Sequence, residues 1–505
     1  MPPACTHFRL VAVALAALTA GASAQAPTDL RLALVIGNAA YAAAPLLNPA
    51  NDAKAMSEAL KGMGFTVIEA RDASRAQMQQ ALTQAGATLK GKNGVGMLYY
   101  AGHGLQLDWH NYMVPVDARF SSAAEVPAQT VDVQAVIDAF RSAGNRMNII
   151  VLDACRDNPF AATASAKGLA PMDAPPGTFL AYATAPGNVA EDGDAKSGNG
   201  LYTQFLVHEL TQPAAKIEDV FKRVRLQVRE QSKGRQIPWE STSLEDDFYF
   251  PTGIKTAARP TPRVREQAFN QEKADWDRVA ASKNPDDLYT FLKKYPNGSI
   301  SELAQAQLER LQAARIVAQP ERDGAVQVVT GARIRDGDRF EFVFRDGLTG
   351  VVSGRASAVL KALGDDEFEG VGTGMGSTRT NAAGFIREFG GTRFDPPWSA
   401  VPGGQFQLGK KWSARTIRTA PNGESMWVDI ESHIAAREKV TVPLGTFDTY
   451  RVDVAMLAQN GDRTRQTIWF DPSWGYAMKV VTELRSRGAA PNITIREVTA
   501  RSRTN

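Results

Sequence analysis

The sequence is poor in the residues that most readily betray a function. Two cysteines, Cys5 and Cys155, occur in 505 residues, which excludes a disulfide-built scaffold and a zinc–thiolate cluster. Of the five histidines, no pair stands at metal-ligand spacing with acidic partners, so no catalytic metal is expected. Neither sign of charge dominates. Lys and Arg number 57 against 54 Asp and Glu, a net +3, so nothing points to a nucleic-acid partner. Beyond residue 24 no apolar run approaches the roughly 20 residues of a spanning helix, and no integral membrane segment is expected in the mature chain. The rest is ordinary. A hydrophobic content of 44% with 22% charged residues rules out wholesale disorder. At roughly 100–200 residues per domain the length makes two to four domains.

Residues 1–24 (MPPACTHFRLVAVALAALTAGASA) place Arg9 before an apolar run and end in Ala22-Ser23-Ala24, the order of a secretory signal peptide. Cleavage there removes Cys5 and sends the chain to the periplasm or the exterior with one cysteine, Cys155. A single thiol in an oxidising compartment is either a buried hydrophobe or a retained nucleophile, and its neighbours must decide.

Residues 30–36 (LRLALVI) read as a buried strand, 52–61 as a helix stopped by Gly62-Met63-Gly64, and 65–70 as a second strand. A helix over 74–89 follows, with Ser74 as a candidate N-cap, then an apolar strand over 94–100 (GVGMLYY). A helix over 131–140, strands over 147–152 and 178–183, and helices near 201–211 and 216–231 complete a unit ending near 252. This alternation argues a mostly parallel sheet sandwiched by helices. Residues 252–265, rich in Pro, Thr and Arg, read as a linker, and 266–318 as a helical hairpin across a Tyr295-Pro296-Asn297-Gly298 turn. From about 325 to 500, alternation such as Phe340, Phe342, Phe344 between polar residues predicts an antiparallel β domain. Pro443-Leu444-Gly445-Thr446 is expected as one of its hairpin turns.

Two strand ends carry the chemistry. One reads YYAGHG (99–104) and presents His103 between glycines; the other reads LDACRDNPF (152–160) and presents Cys155. Ligands of open α/β sheets sit at the carboxyl ends of strands. A histidine within reach of a thiol can take its proton and leave the thiolate as nucleophile.

These residues resemble the caspase-related peptidases of bacteria, the metacaspase and orthocaspase group. The matching segments are LVIGN (34–38), NDAKAMSEALKGMGF (51–65), YYAGHG, DACRDNPF (153–160), ATAPGNVAEDGD (183–194) and NGLYTQFLVHEL (199–210). The resemblance implies a cysteine endopeptidase with His103 as general base and Cys155 as nucleophile. It also implies an oxyanion hole of the Gly104 and Cys155 backbone amides. Animal caspases carry Gln two residues before the nucleophile; here Asp153 stands there, and Asp52 matches the second pocket acid of metacaspases. Two carboxylates facing a pocket favour a cation, so cleavage after Arg or Lys is expected. For Asp52 a helix N-cap is the competing role. No cofactor is expected. Calcium dependence is left open, with Asp117, Glu191, Asp192 and Asp194 as candidate ligands only. Lys167, Lys255, Arg259, Arg263 and Arg265 are candidate self-cleavage sites. The competing function is a catalytically silent caspase-fold binding or scaffold protein of the cell envelope, with the β domain as the part that meets an envelope partner.

Overall fold

The computed structural model describes residues 30–108, 110–155, 169–170, 172–185, 198–212, 215–250, 261–312, 334–364, 366–374, 376–403, 406–486 and 490–503, and of Cys155 the backbone alone. The signal-peptide segment, Lys167, Glu191, Asp192, Asp194, Lys255 and Arg259 lie outside the described residues.

The first unit is built on β1 (Arg31–Gly37), β2 (Thr66–Arg71), β3 (Val95–Leu107), β4 (His110–Met113), β5 (Val131–Asp132), β6 (Met147–Cys155), β7 (Thr178–Tyr182) and β8 (Trp239–Thr242). The main path runs β2-β1-β3-β6-β7-β8, parallel except for β8, and β4 bridges β3 to β5. Leu32 to Ile36 are all buried, as a strand covered on both faces requires. Alternate residues serve two cores. On one face Val35, Tyr99 and Val151 pack against α1 (Pro49–Gly62), α5 (Leu201–Leu210) and α6 (Ile217–Gln231). On the other, Leu34, Leu98 and Ile150 pack against α2 (Arg75–Leu89) and α4 (Val133–Ser142); the short α3 (Val126–Gln129) precedes β5. Ser74 caps α2 in a reciprocal capping box with Gln77, as expected. Helix α1 starts three residues earlier than predicted, because Pro49 suits a first-turn position and Asn48 takes the N-cap place. Asp52 therefore lies inside the first turn and is not the N-cap.

Strand β3 also departs from expectation. It does not end at the glycines but continues to Leu107, changing partner on the way. Up to His103 it pairs in parallel with β6, and from Gly104 it pairs antiparallel with β4.

Helix α7 (Pro262–Val279) begins inside the segment expected to be linker, with Thr261 as its N-cap, so Arg263 and Arg265 are helical and Arg265 pairs with Asp429. The expected hairpin is three helices: α7, α8 (Pro285–Lys294) and α9 (Ser301–Gln312). Asn284 and Pro285 start a new helix that helical periodicity alone had merged with its neighbour. The Tyr295–Gly298 turn separates α8 from α9 as predicted.

The rest closes into a twelve-stranded antiparallel barrel. Its strands are β9 (Arg339–Asp346), β10 (Val352–Gly364), β11 (Glu367–Thr373), β12 (Thr378–Thr380), β13 (Ile386–Phe389) and β14 (Thr392–Trp398), then β15 (Lys411–Thr419), β16 (Ser425–Val442), β17 (Gly445–Ala458), β18 (Arg463–Asp471), β19 (Tyr476–Arg485) and β20 (Asn492–Ser502). Closure is made by β9 against β20, with Phe342 opposite Val498. The turn at Pro443 and Leu444 joins β16 to β17 as expected. Edge strand β8 meets the barrel: a side chain at Gly409 would run into the carbonyl of Thr242, and Lys411 Nζ donates to the Leu244 carbonyl at 3.3 Å. No helix among the described residues is long and apolar enough to cross a membrane.

Candidate active site

The last residue pair of the parallel β3–β6 ladder is His103 opposite Cys155. Adjacent parallel strands whose neighbouring pairs are Tyr99–Val151 and Ala101–Asp153 bring the two predicted catalytic residues together. The local backbone explains why glycines flank the histidine. A Cβ on Gly102 would lie 2.7 Å from the Tyr41 hydroxyl, and one on Gly104 would lie 2.9 Å from the Ala154 side chain. Neither position has room for anything larger.

His103 is held at both ends. Its backbone N–H donates to the Tyr41 hydroxyl at 3.0 Å, and its carbonyl accepts from the Tyr100 hydroxyl at 2.6 Å and from the Val114 N–H at 3.0 Å. Tyr41 donates in turn to the Val114 carbonyl at 2.9 Å, and its ring packs on the imidazole with centroids 4.4 Å apart. Burial pushes the Tyr41 hydroxyl up to about 12, so it stays a neutral donor. The imidazole Nε2 lies 2.7 Å from the Ala44 carbonyl. A carbonyl oxygen only accepts, so Nε2 carries the proton and the neutral ring keeps its lone pair on Nδ1.

Asp52 and Asp153 both lie near the Tyr99 hydroxyl. Both carboxylates act on the buried Tyr99 hydroxyl, whose pKa is pushed well above its ordinary value by burial first and then by Asp153 and Asp52. Asp153 Oδ2 accepts from Thr203 at 2.6 Å, and Tyr99 and Thr203 share a short hydrogen bond. Asp52 Oδ1 accepts the Gly200 N–H at 2.9 Å, at the start of α5, and the Asn199 amide oriented with its nitrogen toward it donates at 3.1 Å. Asp52 is only 2% exposed, whereas Asp153 is partly open. On the far side of Gly104, Asn111 grips Ala170 through both amide atoms, at 2.8 and 2.6 Å.

Of the calcium candidates, Asp117 is engaged by the Arg75 N–H at 2.9 Å. His110 sits on β4 and pairs with Asp132 at 2.8 Å. His208 lies on α5, and His433 is on β16, its pKa lowered by burial and then by Lys411. Sequence reasoning missed Tyr41, Ala44, Tyr99, Tyr100 and Thr203. Tyr99 and Tyr100 lie inside YYAGHG but read there as apolar strand residues. Tyr41 and Ala44 carry no local signal, since their role depends on a loop folding back onto β3.

A mostly parallel α/β sheet with one antiparallel edge strand, carrying a histidine and a cysteine on neighbouring strand ends, is the arrangement of a caspase-like peptidase. Residues 30–249 match the family model of the caspase domain. Two similar proteins are the human Mucosa-associated lymphoid tissue lymphoma translocation protein 1 and its Mus musculus homolog. Each is 29% identical over 185 residues, which is 36% of this chain and 22% of the relative. The chain thus aligns with about a fifth of the length of these relatives.

Proposed function

We propose that the protein is a cysteine endopeptidase that cleaves after Arg or Lys. The observation that carries the reading is the register of His103 against Cys155, with the imidazole oriented by the Ala44 carbonyl so that Nδ1 is the free base. In this mechanism Nδ1 takes the thiol proton of Cys155, and the thiolate attacks the scissile carbonyl carbon. The backbone N–H groups of Gly104 and Cys155 receive the oxyanion. Collapse breaks the C–N bond, the imidazolium returns its proton to the leaving amine, and water then hydrolyses the thioester with His103 again as base. The convergence of Asp52 and Asp153 on Tyr99 supports a pocket for a basic side chain. Export through residues 1–24 and an envelope partner for the barrel belong to the same proposal.

The test is hydrolysis of fluorogenic Arg, Lys and Asp peptides by wild type and Cys155→Ala. Turnover of Arg and Lys substrates by wild type alone is expected. Equal rates for the two proteins would remove the peptidase reading and favour a silent scaffold, and turnover of the Asp substrate alone would remove the pocket assignment.

A further inference from the structure

The barrel has a filled half and an open half. Phe340, Phe342, Tyr450 and Val452 are fully buried side chains pointing inward. Beside them lies a cavity of about 610 Å³, within the range that holds a small organic ligand. Its wall is largely apolar, with Phe394, Ile468, Phe470 and Val480 among the lining residues. The lining residues Gly372, Gly374, Gly376 and Phe389 are exposed, so the cavity opens to solvent between β11 and β13.

Outward positions of β17 and β18 carry Arg451, Asp453, Arg463 and Arg465, while inward ones carry Tyr450, Val452, Val454, Ile468 and Phe470. A lipid-embedded barrel has the opposite arrangement, apolar outside and polar within. On these strands the barrel is polar outside and apolar inside.

Three polar groups on the cavity wall lack a hydrogen-bond partner although their atoms are buried: Arg496 Nε, Thr380 Oγ1 and Trp398 Nε1. Arg496 matters most. Its guanidinium lies 5.0 Å from the ring centre of Phe342 and 5.5 Å from that of Tyr476, and among the described residues it meets these aromatic faces and no carboxylate. Its outward neighbour Glu497 is committed elsewhere, to Arg345 and Lys479. Arg496 is partly exposed with its Nε buried on the wall, and a guanidinium beside apolar surface without an anion gains a charge-assisted bond from an incoming anion.

We infer that the barrel lumen binds a single-chain amphiphile, its apolar chain in the cavity and its anionic head group, carboxylate or phosphate, on Arg496. The inference is independent of the peptidase reading, because no residue of the caspase domain takes part.

The test is fluorescence titration of the full chain with cis-parinaric acid, followed by displacement with oleate, 1-oleoyl lysophosphatidate and oleyl alcohol. Saturable binding is expected, with oleate displacing the probe at least about tenfold better than the alcohol, since a charge-assisted bond is at stake. Arg496→Met should weaken oleate by about that factor and leave the alcohol unchanged. Gly370→Leu places a side chain at a wall position whose Cβ has ordinary clearance, 3.5 Å from Leu360, and should weaken every ligand. Stronger displacement by the lysophosphatidate than by oleate would identify a phosphate head group, and the reverse a carboxylate. Absence of saturable binding to wild type would overturn the inference. So would equal oleate affinity in wild type and a folded Arg496→Met protein, or unchanged affinity in folded Gly370→Leu.

Discussion

At the ends of β3 and β6 the caspase domain gathers His103 and Cys155 at the edge of the sheet, whereas the barrel turns Arg496 toward its inner wall. The contrast follows from strand direction. Parallel strands need helical crossovers, so every strand ends on the same side in a loop, and residues distant in sequence meet there. His103 and Cys155 are brought together in this way. Antiparallel strands joined by hairpins close on themselves, as at Pro443 and Leu444, and the space such a sheet can offer a ligand is its interior. The two halves also treat charge differently. Asp52 and Asp153 sit among hydroxyl and amide donors. Arg496 sits against aromatic rings.

The sharpest way to break this comparison is to disable one half and measure both. His103→Ala should lower peptide turnover by roughly a thousandfold or more while cis-parinaric acid binding stays unchanged; a joint loss would mean the halves do not work separately. Asp153→Asn keeps an acceptor for Thr203 but removes the charge, and kcat/KM for an Arg peptide should fall about 100-fold. An unchanged value would take Asp153 out of the specificity pocket.

Asp338 tests the other half. It is fully buried at the start of the barrel, accepts from Arg503 at 2.7 and 2.9 Å and takes the Arg335 N–H at 3.0 Å. Asp338→Ala removes a buried carboxylate that binds the Arg503 guanidinium and the Arg335 N–H, and should cost about 3–5 kcal/mol, read as a lowered barrel transition in thermal denaturation, with Arg-peptide turnover retained at 25 °C. Loss of turnover at that temperature would show that the caspase domain depends on an intact barrel. The smallest effect is expected for Tyr41→Phe. It removes the acceptor of the His103 N–H and the donor to Val114 while keeping the ring on the imidazole, so kcat should drop about tenfold with KM nearly constant. A change confined to KM would assign Tyr41 to substrate binding instead of to the placement of His103.

Much of the caspase domain was legible because its signals are local. Leu32 to Ile36 and 94–100 are apolar runs bounded by turns, and Ser74 with Gln77 spells out a capping box. The continuation of β3 past His103 was not legible, since Gly102-His103-Gly104 reads as punctuation in a sequence. Only the antiparallel pairing with β4 shows that the chain goes on as a strand. The division of the helical segment at Asn284 and Pro285 was present as an N-cap signal, but the apolar periodicity on either side masked it.

By itself the sequence determined which side chains are chemically capable and which local conformations surround them: a histidine between glycines, a cysteine at the end of an apolar strand, the acids Asp52 and Asp153, and strands with a two-residue period. Tertiary structure alone decided which of these meet. The ladder between β3 and β6 sets His103 and Cys155 in register, and the loop before α1 delivers Ala44 to the imidazole. Pairing of β9 with β20 turns alternating strands into a closed container with Arg496 on its inner wall. The reason is range. Turn chemistry and side-chain periodicity act over a few residues, whereas register, closure and the burial of a charge are settled by surfaces contributed from segments far apart in the chain.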